Sequence, residues 1–240
     1  MNQLIWFRND LRLNDQSALW HATQAGTTLA LVIFSPEQWQ RHDDALIKID
    51  FYLRQLAQLK DDLTALNIPL IVRTIPLWKD IPDELVKLVE HYKIENVYAN
   101  VEVGINELER DHQAQTALNA IQKDLKLYQD KTLFTLGSIR NKSDAPYQVY
   151  TPFKKNCYEL LNISLPQCFP QPEAQSDVPK IKADDSKFPS MTDLGYDEID
   201  KKTQALWPVG EKAAHKRLEA FIKDKINHYH ELRDYPAAEG

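Results

Sequence analysis

The chain has 240 residues, 43% hydrophobic and 27% charged, which excludes a disordered polymer and leaves room for one large or two small domains. A formal net charge of −6 argues against this segment gripping a phosphate backbone by itself, because that affinity comes from clustered Lys and Arg. No apolar run approaches a membrane span and Met1-Asn-Gln-Leu-Ile-Trp6 lacks a secretory pattern, so no membrane association and a cytoplasmic location are expected.

The first half alternates short β-rich runs with longer helical patterns. Strands are predicted at Gln3–Phe7, Thr28–Phe34, Pro69–Thr74 and Asn96–Asn100, with a shorter fifth at Leu125–Gln129. Between them Asp15 can cap a helix reaching about Ala25. Apolar residues fall at helical spacing over Asp44–Leu66, Asp80–Tyr92 and Asn106–Leu125. Near-continuous apolar strands imply burial on both faces, and β-α alternation implies right-handed crossovers. The expected fold is α/β: an open, doubly wound, Rossmann-like parallel sheet of five strands with flanking helices, whose ligands gather beyond the carboxyl ends of the strands.

After Leu161 the texture changes. Residues 165–190 hold Pro166, Pro170, Pro172, Pro179 and Pro189 among polar residues, the composition of a surface linker. A helix is predicted from about Gly210 to Ile226, with Ala213, Leu218, Phe221 and Ile222 on one stripe. The final stretch, Tyr229–Gly240, reads as the entry to a further structured segment. These 240 residues are therefore expected to hold one part of a larger apparatus.

Generic nucleotide motifs are absent: no two of the six glycines stand at the spacing of a dinucleotide fingerprint or phosphate loop. Cys157 and Cys168 give neither a disulfide framework nor a zinc pattern, and no nucleophile elbow is present. Two segments at the carboxyl edge remain. Trp6-Phe-Arg-Asn-Asp-Leu-Arg-Leu-Asn-Asp15 packs two arginines and two aspartates after Phe7 in one short loop. They could bind an anion, or pair with each other and lock the loop to the next helix. In Asn100-Val-Glu-Val-Gly-Ile-Asn-Glu-Leu-Glu-Arg-Asp111, Asn106 and Glu107 fall in a helix's first turn, where a carboxylate can face an amino-bearing heterocycle. The competing reading has Asn106 capping the helix and Glu102, Glu107 and Glu109 as solvated charge; on spacing alone it wins.

Trp6-Phe-Arg-Asn-Asp-Leu-Arg12 resembles the opening signature of the DNA photolyase/cryptochrome family. The resemblance continues through Pro36-Glu-Gln-Trp39 with His42, Asn106-Glu107, Arg110-Asp111, Tyr147-Gln-Val-Tyr-Thr-Pro-Phe153 and the run Trp207–Phe221. Arg233-Asp-Tyr-Pro-Ala-Ala-Glu-Gly240 is similar to the segment preceding the family's flavin-phosphate motif. Within the family the chain resembles the amino-terminal half of a bacterial class I cyclobutane pyrimidine dimer (deoxyribodipyrimidine) photolyase.

The resemblance implies repair of pyrimidine dimers in UV-damaged DNA by light-driven electron transfer from reduced FAD. It also implies an antenna chromophore, commonly 5,10-methenyltetrahydrofolate. Residues 1–130 would be the antenna domain with 131–163 packed on it, 164–205 an interdomain linker, and 206–240 the start of the helical FAD domain. Glu107 would grip the pterin ring, with Asn106 beside it and His42 in the loop after the second strand; Tyr229 would be the first flavin contact. No catalytic residue and no metal ligand are expected within these residues, and DNA contacts would lie outside them. The piece alone, a monomer, is expected neither to repair DNA nor to retain flavin, and to bind folate weakly because the cleft lacks one wall. Trp6, Trp20, Trp39, Trp78 and Trp207 are expected to be packing residues. The alternatives are a light-signalling cryptochrome and a non-photochemical α/β nucleotide-binding module.

Overall fold

A computed structural model describes residues 2–235; Pro236–Gly240, the last part of the flavin-proximal resemblance, lie outside the described residues. Five strands, β1 (Asn2–Phe7), β2 (Thr27–Phe34), β3 (Leu70–Thr74), β4 (Ile94–Asn100) and β5 (Asp124–Tyr128), pair in parallel in the order β3-β2-β1-β4-β5. The order reverses between β1 and β4, the place where such sheets open a crevice for ligands.

Alternate residues of each strand feed two cores. Ile5 and Phe7 of β1, with Val32, Phe34 and Val72, face α1 (Ser17–Ala25) and α3 (Leu46–Ala65) through Leu19, Leu56, Leu59 and Leu63. Leu4 and Trp6, with Leu31, Ile33, Ile71 and Val97, face α4 (Ile81–His91) and α5 (Ile105–Ala120) through Leu85, Leu88, Ala114 and Leu118. A short helix, α2 (Pro36–Arg41), follows β2 and was not anticipated from the sequence. It is too short for apolar periodicity to register.

The bounds of α4 were legible because its signals are local. In α4 the apolar positions 81, 85, 88 and 89 make one stripe, Pro82 sits in the first turn where its missing N–H costs nothing, and Asp83 and Glu84 complement the amino end. The turns into β3, β4 and β5 each place a non-glycine in the left-handed region: Asn67, Lys93 and Gln122. Two expectations are corrected. Gln16, not Asp15, caps α1, its side chain accepting from the Leu19 amide at 2.8 Å; Asp15 is in the left-handed region. The helix expected over Asn106–Leu125 ends at Ala120, because Leu125 belongs to β5.

Beyond β5, α6 (Tyr150–Ile163) has no fully buried residue and, with residues 132–147, borders an apolar groove of about 700 Å³. Residues 164–205 carry little regular structure apart from α7 (Lys201–Ala205), yet they are strapped to the α/β layers. Gln175 bridges β2 and the turn after α3. Its Oε1 accepts from the Thr28 amide at 2.8 Å, and its Nε2 donates to the carbonyls of Thr28 (3.0 Å) and Asn67 (2.7 Å). Asp185 pairs with Arg73 at the open edge of β3, Phe188 packs on the core, and Met191 and Leu194 are buried. The strap thus covers an edge strand that would otherwise present unpaired backbone groups.

Helix α8 (Glu211–Asp224) is fastened at its start, where the Glu211 carboxylate accepts from the amides of Leu13 (3.0 Å) and Asn14 (3.2 Å). Gln175→Ala should cost about 2–3 kcal/mol, since it orphans a buried amide and two carbonyls. Urea unfolding measures the loss, and limited proteolysis should cut the strap sooner; an unchanged midpoint would show that the strap is merely draped.

Candidate functional site

The carboxyl ends of β1, β2 and β4 open into a cleft of about 270 Å³. Each wall comes from the segment that follows a strand: Arg8 and Asn9 after β1, Trp39 and His42 from α2 and its end, Trp78 after β3, and Glu102 and Glu107 after β4. Tyr52 and Lys48 of α3 complete it.

The floor is a buried ion network. Asp111 Oδ1 accepts from Arg8 Nη1 (3.2 Å) and from Arg110 Nε (2.9 Å) and Nη2 (2.7 Å). Arg110 Nη2 also reaches Glu102 Oε2 at 3.0 Å, and Asn9 Nδ2 donates to Glu102 Oε1 at 2.7 Å. Arg8 donates to the Asn100 carbonyl, and all four charged side chains are at most 6% exposed. Two guanidiniums against two carboxylates leave the floor neutral. The Arg110 guanidinium lies between two indoles, 5.0 Å from the Trp6 ring centroid and 4.9 Å from that of Trp78. Trp78 in turn meets His42 edge to face at 5.0 Å.

Burial drives the Arg8 pKa down, against the pull of Asp111. For Glu102 burial pushes upward, but Arg8, Arg110 and the bond from Asn9 outweigh it and hold the carboxyl below its usual range. A carboxylate depressed on folding contributes stability above its unfolded value of 4.5 and loses that contribution as pH falls through the folded value. The chain should therefore lose stability on acidification below 4.5. Glu102→Gln should flatten that slope in urea melts taken across the acid range, and an identical slope would remove Glu102 from the account.

The structure brings three of the four sequence-identified site residues together. His42 and Glu107 line the same cleft, and Asn106 Nδ2 lies 3.3 Å from His42 Nε2. Glu107 is half-buried and has no hydrogen bond or ion pair with another group among the described residues. Tyr229 is elsewhere, on α9 (Tyr229–Leu232), 53% exposed and edge-on to Phe221 at 5.9 Å.

Other expectations change. The cap of α5 is Gly104, not Asn106, and Glu102 is buried rather than solvated. The arginines of the first loop do pair, but with Asp111 and with Asp130 (Arg12 Nη2 to Oδ2, 2.6 Å) rather than with Asp10 and Asp15. Asp10 instead locks the loop to α1, accepting from Gln16 Nε2 at 2.8 Å. Trp39 and Trp78 are cleft walls as well as packing residues, while Trp207 is 45% exposed under Arg217. Sequence reasoning missed Trp78 and Tyr52, whose only signal is aromatic character on segments that enter the carboxyl edge.

Among the described residues no group of His, Cys, Asp and Glu could hold a metal, both cysteines are free, and no helix is long and apolar enough to cross a membrane. The family model described as DNA photolyase matches residues 3–173. The chain is 35% identical over 236 residues to the deoxyribodipyrimidine photo-lyase of Buchnera aphidicola subsp. Acyrthosiphon pisum, covering 97% of this chain and 47% of that protein. It is 30% identical over 246 residues to the Escherichia coli protein of the same name, covering 99% and 49%. It thus spans about half the length of these relatives.

In fold it is similar to a Synechocystis cryptochrome (TM-score 0.76, 24% identity, 97% of this chain and 49% of that one). It is also similar to a bacterial class III photolyase from Agrobacterium tumefaciens (TM-score 0.71, 24% identity, 98% and 47%). With the family's model matched over most of its length and its sheet, helices and carboxyl-edge cleft in place, the chain belongs to the DNA photolyase family.

Proposed function

We propose that the cleft is the antenna-chromophore site of a light-driven DNA-repair protein, and that the chromophore is 5,10-methenyltetrahydrofolate. The observation that carries this reading is Glu107: a carboxylate without a partner among the described residues, at an aromatic-walled cleft, on the switch point of the sheet. A pterin edge presents adjacent N–H donors that such a carboxylate accepts as a pair. The residues fit one bicyclic ring. A volume of about 270 Å³ suits the heterocycle but not a whole folate, whose remainder would lie outside the cleft.

In this reading Glu107 and Asn106 orient the ring, His42 closes one edge, and Trp39, Trp78 and Tyr52 exclude water. The ion network beneath them keeps the walls in place. The reaction proposed for the whole protein is splitting of cyclobutane pyrimidine dimers in UV-damaged DNA, as the relatives' name suggests. When bound, reduced FAD supplies the electron and the antenna supplies excitation. Tyr229 is proposed as an edge contact to the flavin, supported by its exposure beside Phe221. The DNA surface is assigned outside these residues, in keeping with their net charge of −6. These 240 residues alone, a cytoplasmic monomer in this reading, would repair no DNA and hold no flavin.

Two measurements test the proposal. Titrating methenyl-folate into the 240-residue chain should shift the chromophore's near-UV absorption with saturation. The full-length protein should repair a dimer-containing oligonucleotide under blue light. Folate binding without repair would favour a signalling role, and no folate binding would end the antenna assignment.

A further inference from the structure

Gln38, on α2, ties two walls of the cleft together. Its backbone N–H donates to the Pro76 carbonyl at 3.0 Å and its Oε1 accepts from the Trp78 amide at 3.4 Å, which fastens the loop carrying the Trp78 indole. Its Nε2 stands 3.0 Å from His42 Nε2. The polarity of this row is fixed from one end. A backbone N–H can only donate, so the Gln38 amide turns its oxygen to Trp78 and its NH2 to His42. An amide NH2 can likewise only donate, so His42 Nε2 is the acceptor. The neutral ring then carries its proton on Nδ1, the form that a free histidine disfavours. Asn106 Nδ2, 3.3 Å from the same Nε2, must donate as well, which leaves its Oδ1 as an acceptor. Neither His42 Nδ1 nor Asn106 Oδ1 has a hydrogen-bond partner among the described residues.

We propose that Gln38 is a positioning residue. It relays the fixed polarity of the Trp78 amide to His42 and Asn106, so that the rim of the cleft offers its ligand one donor, His42 Nδ1–H, and one acceptor, Asn106 Oδ1. His42 lines the cleft and meets Trp78 edge to face at 5.0 Å, so imidazole and indole are held by the same glutamine. The tautomer is a property of the chain by itself; what it selects in a ligand rests on the antenna reading. A ligand oxygen or ring nitrogen with a free lone pair is favoured beside His42, whereas the other tautomer would set lone pair against lone pair.

Nitrogen NMR of the 240-residue chain, labelled in its histidine rings, reads the tautomer directly, with the His42 signals identified by their loss in His42→Gln. In alkaline buffer, where imidazoles are neutral, wild-type His42 should carry its proton on Nδ1. Gln38→Glu keeps an oxygen for Trp78 but faces His42 with a second one, so the proton should move to Nε2 with the melting temperature little changed. Gln38→Ala removes both side-chain contacts and should release the ring to the mixture of a free histidine. The Gln38→Glu change should also weaken methenyl-folate about fivefold, the worth of one neutral hydrogen bond. A wild-type His42 protonated on Nε2, or a Gln38→Glu chain whose ring keeps Nδ1–H, would overturn the proposal. A reversed tautomer with undiminished folate affinity would overturn it too, because the ligand would then not read the rim. An Nδ1–H ring in a wild-type chain that binds no methenyl-folate would uphold the positioning role and end the antenna reading alone.

Discussion

Glu107→Ala is expected to weaken methenyl-folate binding about a hundredfold, the loss of two charge-assisted hydrogen bonds at roughly 1.5 kcal/mol each. The magnitude follows from where the carboxylate sits. Its oxygens are engaged by no donor among the described residues, so ligand N–H groups displace only water. The cleft around it is walled by Trp39, Tyr52 and Trp78, which lowers the local dielectric and strengthens the pair. Removing Glu107 should leave folding untouched, because the side chain is bonded to no other group among the described residues. Asn106→Ala should cost less, about threefold, since its bond to His42 is exposed and only orients a neighbour. Equal affinity for wild type and Glu107→Ala would remove the carboxylate from the site.

Asp111→Ala should produce the largest loss of stability, about 3–5 kcal/mol, because it strands two buried guanidiniums. Asp111 Oδ1 is the common acceptor of Arg8 and Arg110, and Glu102 alone would remain to balance them. For a chain of this length the thermal midpoint should fall by roughly 10 °C. Asp111→Asn keeps an acceptor and loses the charge, so its midpoint should lie between the two. Calorimetry decides: a shift within a degree of wild type would mean that the network does not hold the loops after β1 and β4 together.

The layers of this fold were readable in advance because each strand is apolar over most of its length and each long helix keeps one stripe. The start of α4 was readable from Pro82 and its acidic first turn, whereas the end of α5 was not, because the left-handed Gln122 that turns the chain into β5 is no glycine. The cleft was legible only in part. Asn106, Glu107 and His42 could be named from a resemblance, and the switch-point rule placed them at the carboxyl edge. The buried state of Glu102 could not be read, since a glutamate near a helix start looks solvated until Arg8 and Arg110 arrive from elsewhere in the chain. Trp78 was equally hidden: its role depends on Arg110 and His42, more than thirty residues away on either side. The fastening of the segment expected as a linker was hidden for the opposite reason. Proline-rich composition describes a segment without regular structure, and residues such as Gln175 and Asp185 show how firmly such a segment can be tied.

The most direct test is a crystal structure of the 240-residue chain soaked with 5,10-methenyltetrahydrofolate. The pterin ring should lie between Trp39 and Trp78, with its amino-bearing edge in paired hydrogen bonds to Glu107. A chromophore bound away from Glu107, or a cleft that stays empty at saturating folate, would contradict the antenna assignment.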